Sequence, residues 1–255
     1  MQTEWSVKRD IVEVGKRLWQ RQFVAANDGN ISVKLDEKFL LATPTGVSKG
    51  FMNAEMLVRT DMNGQPISKN PKFKPSSEIL MHLEVYKNRP EINAVVHAHP
   101  VYCTAFAVAG IPLDKCILPE AIVTLGIVPI APFGLPSTNE IPESIRPFLK
   151  TSDAILLQNH GALTFGKDLF EAYYRMETLE HSASIIWHAQ QLGTPNILSE
   201  KDRDRLQHLR QKYGIEASAS PCKPSEDEPT TNKSKSDISD EKIREITRNI
   251  KSRLK

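Results

Sequence analysis

Four side chains in three short stretches have the types and spacing to hold a metal ion. His97 and His99 form an H-x-H pair just after the apolar run Ile92 to Val96. His160 follows a second apolar run, Ala154 to Leu157, and stands directly before Gly161. Glu78 follows the pair Ser76-Ser77. Residues two apart on a strand face the same side, so one ion can take both imidazoles of an H-x-H pair. Three protein ligands with one position left open is the usual arrangement of a catalytic zinc. Glu78 has two readings. In the first turn of a helix a glutamate commonly complements the dipole. Beside a divalent cation it is a ligand in the resting site and a base once substrate displaces it. His82, His181, His188 and His208 lie in helix-like stretches and read as structural or solvated.

Three turns of small residues could hold an anion: Gly29-Asn30, Thr45-Gly46 and Ser76-Ser77. Each offers backbone N–H groups or hydroxyls, and the last opens a helix, whose dipole also favours negative charge. Taken alone, such turns usually only reverse the chain.

The elements that must position these groups follow from periodicity. Residues 4–22 predict a first helix, with Ile11, Val14 and Leu18 on one stripe. Ile31–Val33 and Phe39–Ala42 predict a hairpin, closed after Ala42 by Thr43-Pro44-Thr45-Gly46. Met56–Thr60 predicts a short strand before the turn at Asp61–Gly64. Ser76 is placed to cap a helix running to Asn88. Helices are further expected over Val101–Ala109, Asn139–Leu149 and Leu169–Leu192, and strands over Ile127–Ala131, Ile155–Gln158 and Leu163–Phe165. The order lacks a strict βαβ rhythm, which predicts a mainly antiparallel or mixed sheet covered by helices.

The 255 residues suffice for one domain of about 200 residues with an appendage. The charge balance, 33 basic against 31 acidic residues, gives no electrostatic case for nucleic acid. Met1 to Arg17 is charged and lacks the apolar core of a signal peptide, and no apolar stretch approaches the ~18 residues of a membrane span. Cys103, Cys116 and Cys222 are scattered, which argues against a disulfide framework and for a reducing, cytoplasmic setting. Composition changes after Gly214. Residues 215–237 are rich in Ser, Pro, Lys, Glu and Thr, which predicts a disordered linker. Residues 238–255 carry Ile238, Ile243, Ile246, Ile250 and Leu254 on one stripe, the form of an amphipathic docking helix.

The stretches Asp28-Gly29-Asn30-Ile31-Ser32, Thr43-Pro44-Thr45-Gly46, Pro75-Ser76-Ser77-Glu78, Ala94-Val95-Val96-His97-Ala98-His99 and Gln158-Asn159-His160-Gly161, in this order, resemble the class II aldolase and adducin family. The resemblance spans about residues 5–214. It implies an α/β fold, an αβα three-layer domain with a mostly antiparallel central sheet over 1–214, assembled as a homotetramer with sites between neighbours. It also implies that His97, His99, His160 and Glu78 bind zinc and that Glu78 is the acid/base. Gly29, Asn30, Thr45, Gly46, Ser76 and Ser77 would form the phosphate cradle. Tyr213 resembles a tyrosine that reaches a neighbouring subunit's site. One position departs: family aldolases acting on fuculose phosphate carry a tyrosine proton donor where this chain has Glu120, in Leu118-Pro119-Glu120-Ala121. The implied reaction is zinc-dependent retro-aldol cleavage of a ketose 1-phosphate to dihydroxyacetone phosphate and an aldehyde.

Three other readings stand beside it. Pentulose-phosphate 4-epimerases of the family carry Asp where this chain has Glu78. An aldolase acting on 5-deoxyribulose 1-phosphate is kept open by Glu120. An adducin-like structural protein would lack the full metal set. The linker and terminal helix resemble, in form, the peptides that direct enzymes into bacterial microcompartments.

Overall fold

The computed structural model describes residues 3–67, 72–213 and residue 222. They fall in one compact unit, 1–223. The strands alternate strictly in what they bury. Ile31 and Val33 of β1 (Asn30–Lys34), Ala94, Val96 and Ala98 of β4 (Ala94–Ala98), and Ala154 and Leu156 of β6 (Ala154–Leu157) enter one apolar cluster. Val95, Ile155, Leu157, and Leu163 and Phe165 of β7 (Gly161–Gly166) enter a second. A sheet with apolar side chains on both faces must be covered on both.

The cover is helical. One face carries α1 (Glu4–Gln20), α3 (Val101–Ala109) and α6 (Leu169–Leu192), through Ile11, Val14, Phe106, Met176 and Leu179. The other carries α2 (Ile79–Asn88) and α5 (Glu140–Ile145), through Met81, Val85, Ile141 and Ile145. Each fully buried side chain of this kind contributes roughly 1.5–3 kcal/mol. With β2 (Phe39–Ala42), β3 (Val58–Asp61) and β5 (Ile130–Ala131), the strand order is β3-β2-β1-β4-β7-β6-β5. All pairs are antiparallel except β5 with β6. This is the αβα domain with a mostly antiparallel sheet that the sequence implied, and β4, which ends in the H-x-H pair, is its central strand. Two further helices, α4 (Pro119–Thr124) and α7 (Glu200–Lys212), pack on each other.

Several boundaries differ from expectation for local reasons. The strand expected over Ile127–Ala131 shrinks to two residues, because Pro129 has no N–H to donate and Val128 bridges Leu113 instead. The helix expected over Asn139–Leu149 ends at Ile145 and tightens into a 3-10 turn over Arg146–Phe148, with Pro147 inside it. The strand near Met56 starts at Val58, after a 3-10 turn whose N-cap, Asn53, accepts from the Glu55 and Met56 N–H groups. The cysteine reading is corrected as well. Cys116 and Cys222 are bonded, 106 residues apart in sequence, and Cys103 is free and buried. No spacing motif announces such a pair. Apart from Cys222, the linker and terminal helix expected over 215–255 lie outside the described residues. Among the described residues no helix is long and apolar enough to cross a membrane.

Candidate metal centre

The centre forms where three elements end. In the ladder, Asn30 of β1 lies opposite His97 of β4, and His97 lies opposite Leu163 of β7. Directly paired residues share a face, so Asn30, Ser32 and His97 all face the α2 side. His99 continues that face one step beyond β4. His160 sits in the tight β6–β7 turn, after Asn159 in the left-handed region at φ 56°. Glu78 precedes α2 at its N-cap position and turns its carboxylate over the two strand ends.

The three rings converge with centroids 4.8–5.0 Å apart. His97 Nε2 lies 3.0 Å from His99 Nε2. Glu78 Oε2 lies 3.4 Å from His97 Nε2, and Glu78 Oε1 lies 3.3 Å from His160 Nε2. Two donors each 2.0–2.1 Å from one tetrahedral zinc stand about 3.3–3.4 Å apart, which is the scale of these separations. The tautomers also suit an ion. His97 Nδ1 is 2.9 Å from the Ala162 carbonyl, which can only accept, so the proton sits on Nδ1 and the Nε2 lone pair faces the centre. Asp28 Oδ2, 3.4 Å from His99 Nδ1, orients the second ring in the same sense. Burial first, then the neighbouring imidazoles, holds His97 well below the usual histidine range. His160 is lowered too, by burial first and His99 next, against an opposing pull from Glu78. Glu78 Oε1 and His160 Nδ1 are buried without hydrogen-bond partners. Lone pairs that meet with no donor between them are what a divalent cation satisfies, so the residues fit one.

Local sequence permits this closeness. A Cβ on Gly161 would meet the Ala98 carbonyl oxygen and His99 Cδ2, each at 2.6 Å. Only glycine lets the β6–β7 turn bring His160 against the H-x-H pair.

Of the six expected anion-holding residues, Thr45, Gly46, Ser76 and Ser77 lie on two paired loops, Gly29 lies beside the His97 carbonyl, and the Asn30 side chain is engaged elsewhere. The loops 43–46 and 74–77 are zipped by Thr45 N–H to the Lys74 carbonyl and Ser76 N–H to the Thr43 carbonyl, both 3.0 Å. Thr45, Gly46 and Ser77 are exposed on them, and Gly46, at φ 70°, has nothing within 4 Å of where a Cβ would be. Ser76 is buried and accepts from the Glu78 N–H at 3.3 Å. Gly29 packs against the His97 carbonyl. The Asn30 side chain is taken up by Glu78, to which its amide donates at 2.9 Å. Buried Lys49 ties the chain just before Gly29 to the segment after Gly46, donating to the Asn27 carbonyl at 3.0 Å and the Val47 carbonyl at 2.6 Å. Its burial lowers the ammonium pKa to about 8.

Two expected site residues are not brought to the centre. Glu120 is exposed in the first turn of α4. Tyr213 ends α7, 65% exposed. Among the described residues neither makes a hydrogen bond or ion pair to the histidines. Conversely, Asp28 and His82 touch the site's ligands or their partners; the sequence gave Asp28 no role of its own and read His82 as structural or solvated, and His82 is buried and hydrogen-bonded. The available signal was His82 four residues after Glu78, on the same helix face.

The family described as Class II Aldolase and Adducin N-terminal domain matches residues 9–187. An L-fuculose phosphate aldolase of Methanococcus maripaludis is 37% identical over 176 residues, covering 69% of this chain and 93% of the relative. A 3-oxo-tetronate 4-phosphate decarboxylase of Pectobacterium atrosepticum is 35% identical over 191 residues, covering 73% and 86%. Among solved structures, an L-fuculose 1-phosphate aldolase superposes with a TM-score of 0.74 at 28% identity, covering 82% of this chain and 96% of that one. With the fold, the length of the match and the identities in agreement, the chain belongs to the class II aldolase and adducin family.

Proposed function

We propose that this class II aldolase cleaves L-fuculose 1-phosphate, or a related deoxyketose 1-phosphate, to dihydroxyacetone phosphate and an aldehyde such as lactaldehyde. The observation that carries the reading is the meeting of His97, His99 and His160 with the Glu78 carboxylate at the end of the central strand. The relative named for fuculose phosphate supports the substrate.

In this reading the three imidazoles, with Glu78 in the resting site, hold zinc, which supplies Lewis acidity at the substrate's carbonyl oxygen. Thr45, Gly46, Ser76 and Ser77, backed by Gly29 and Asn30, receive the phosphate. As the C3–C4 bond breaks, its electron pair stays on C3, and Glu78, which takes up a proton from water once substrate displaces it from the resting site, delivers that proton there. In the reverse direction Glu78 removes that proton. The C4 hydroxyl proton leaves as the aldehyde forms, a step we assign to Glu120 or to Tyr213 from a neighbouring subunit of a C4 homotetramer.

We further assign residues 1–214 as the catalytic domain, in a cytoplasmic enzyme. We assign 215–237 as a linker and 238–255 as a helix that docks the enzyme in a bacterial microcompartment. Confinement of a volatile, reactive aldehyde gives that targeting a chemical purpose. A reporter fused to 238–255 that stays diffuse in cells making microcompartments would rule the last assignment out.

The deciding experiment is a screen of zinc-loaded protein against fuculose, rhamnulose, ribulose and 5-deoxyribulose 1-phosphates, read as dihydroxyacetone phosphate release. A second reading, decarboxylation of a 3-oxo acid phosphate, is favoured by the relative of that activity. It is tested in the same screen with 3-oxo-tetronate 4-phosphate. Release of carbon dioxide from that compound, with no cleavage of any ketose phosphate, would replace the aldol reading. A protein without bound metal or activity on any of them would be a structural member of the family.

A further inference from the structure

Behind Glu78 runs a buried chain of hydrogen bonds that the cleavage itself does not use. The Asn30 amide nitrogen donates to Glu78 Oε2 at 2.9 Å, and its Oδ1 lies 2.5 Å from His82 Nε2. His82 Nδ1 lies 2.7 Å from Ser32 Oγ. Ser32 Oγ lies 2.7 Å from the Tyr86 hydroxyl, which also donates to the Ser32 carbonyl at 3.0 Å. Asn30, Ser32, His82 and Tyr86 are exposed by 3%, 0%, 1% and 4%, so water does not complete their bonding. The elements dictate the line. Asn30 and Ser32 are alternate residues of β1 facing α2, and Glu78, His82 and Tyr86 recur every fourth residue along one face of α2 and its N-cap.

The donors and acceptors permit one assignment around an ionised Glu78. A carboxylate only accepts, so Asn30 presents its NH2 to Oε2 and its oxygen to His82. His82 must then donate from Nε2 and accept at Nδ1. Ser32 gives its single proton to Nδ1 and accepts from Tyr86, whose one hydroxyl proton is shared between Ser32 Oγ and the Ser32 carbonyl. The ring is neutral, since burial lowers its pKa to about 3. With the amide reversed, two acceptor oxygens would face each other in a dry site, a contact that costs the full penalty of unsatisfied groups. Reversing the Asn30 amide would therefore require the His82 tautomer and the Ser32 hydroxyl to reverse with it.

We propose that His82 is a positioning residue for Glu78: as the Nε2–H tautomer it locks the Asn30 amide and dedicates Glu78 Oε2 to accepting that amide. The effect on turnover rests on the function proposed above. The tautomer does not.

The test has two arms. In the full-length zinc-loaded protein labelled with 15N-histidine, the His82 signal, assigned by its loss in His82→Gln, should show a neutral ring protonated at Nε2. Protonation at Nδ1 would overturn the proposal, and this arm needs neither substrate nor a folded apolar variant. The second arm compares His82→Phe, which has no donor, with His82→Gln, which restores an N–H near the Nε2 position. The readouts are kcat, KM and zinc content. His82→Phe should lower kcat about 10–100-fold, the usual cost of losing a group that orients a ligand, with KM and bound zinc nearly unchanged. His82→Gln should recover most of the loss. Equal kcat in wild type and both variants, or a loss shared equally by Phe and Gln, would overturn it. If no ketose phosphate is cleaved by the wild type, the function reading fails while the tautomer arm still decides the relay.

Discussion

At the residue scale the sharpest expectation concerns Glu78. Glu78→Gln keeps the size and the Asn30 contact but removes the base. Turnover should fall by about 10²–10⁴-fold, the range for general acid–base catalysis, while elemental analysis still finds zinc. An undiminished rate would return Glu78 to a capping role. His97→Ala should instead lose the metal and activity together in a folded protein. Histidine burial also sets acid stability. His82 is held at about 3 against an ordinary value of 6.5, so between those limits the unfolded chain binds the extra proton and stability rises with pH. It is fully present above pH 6.5 and is lost as pH falls toward 3, by up to about 5 kcal/mol from this group. His97 acts in the same direction. Thermal midpoints between pH 4 and 7 should therefore fall less steeply in His82→Gln than in the wild type, but should not become flat. Equal slopes would mean that His82 is protonated in the folded state. The cluster of His97, His99, His160 and Glu78 was legible because its members announce themselves by type and by position beside apolar runs. The Asp28 and His82 contacts were not, since they exist only once residues 50 to 71 apart in the chain are brought together by the β1–β4 and α2 packing.

At the scale of elements, most were readable, down to the four-residue β2, and those that were not are elements that lean on their neighbours. The bounds of α3 and α6 match the apolar stripes, because a helix of several turns averages over local exceptions. The two-residue β5 and six-residue α4 depend on neighbours and carry too few residues for a period to show. The β6–β7 turn joins element to function most directly. Gly161→Ala places a methyl 2.6 Å from both the Ala98 carbonyl oxygen and His99 Cδ2. The backbone contact cannot yield cheaply, and overpacking of this kind costs about 1–3 kcal/mol. The ring is the softer partner, so His99 should move off the centre. The expected result is a folded variant with a lowered unfolding midpoint and weakened zinc retention under chelator challenge. Wild-type retention would show that the turn relaxes without moving the ligand.

At the scale of the whole molecule, one chain assembles the metal set but leaves the site open. Glu120 and Tyr213 are exposed and make no bond to the histidines among the described residues, yet aldol cleavage also needs a group at the C4 hydroxyl. The proposed tetramer resolves this if Tyr213 of one subunit serves the metal centre of the next. Closed cyclic symmetry then gives each site one donor of histidines and one donor of tyrosine. His97→Ala lacks the first contribution and Tyr213→Phe the second, so each homotetramer should be nearly inactive. Unfolding and reassembly of an equal mixture places an intact centre beside an intact tyrosine at about a quarter of the sites. Activity should return to that fraction of wild type, with no recovery when the two preparations are combined without reassembly. Absence of recovery in verified mixed tetramers would confine each site to a single chain. Truncation after Glu216 keeps both contributions, so it should leave the rate in solution unchanged while removing the Cys116–Cys222 bond.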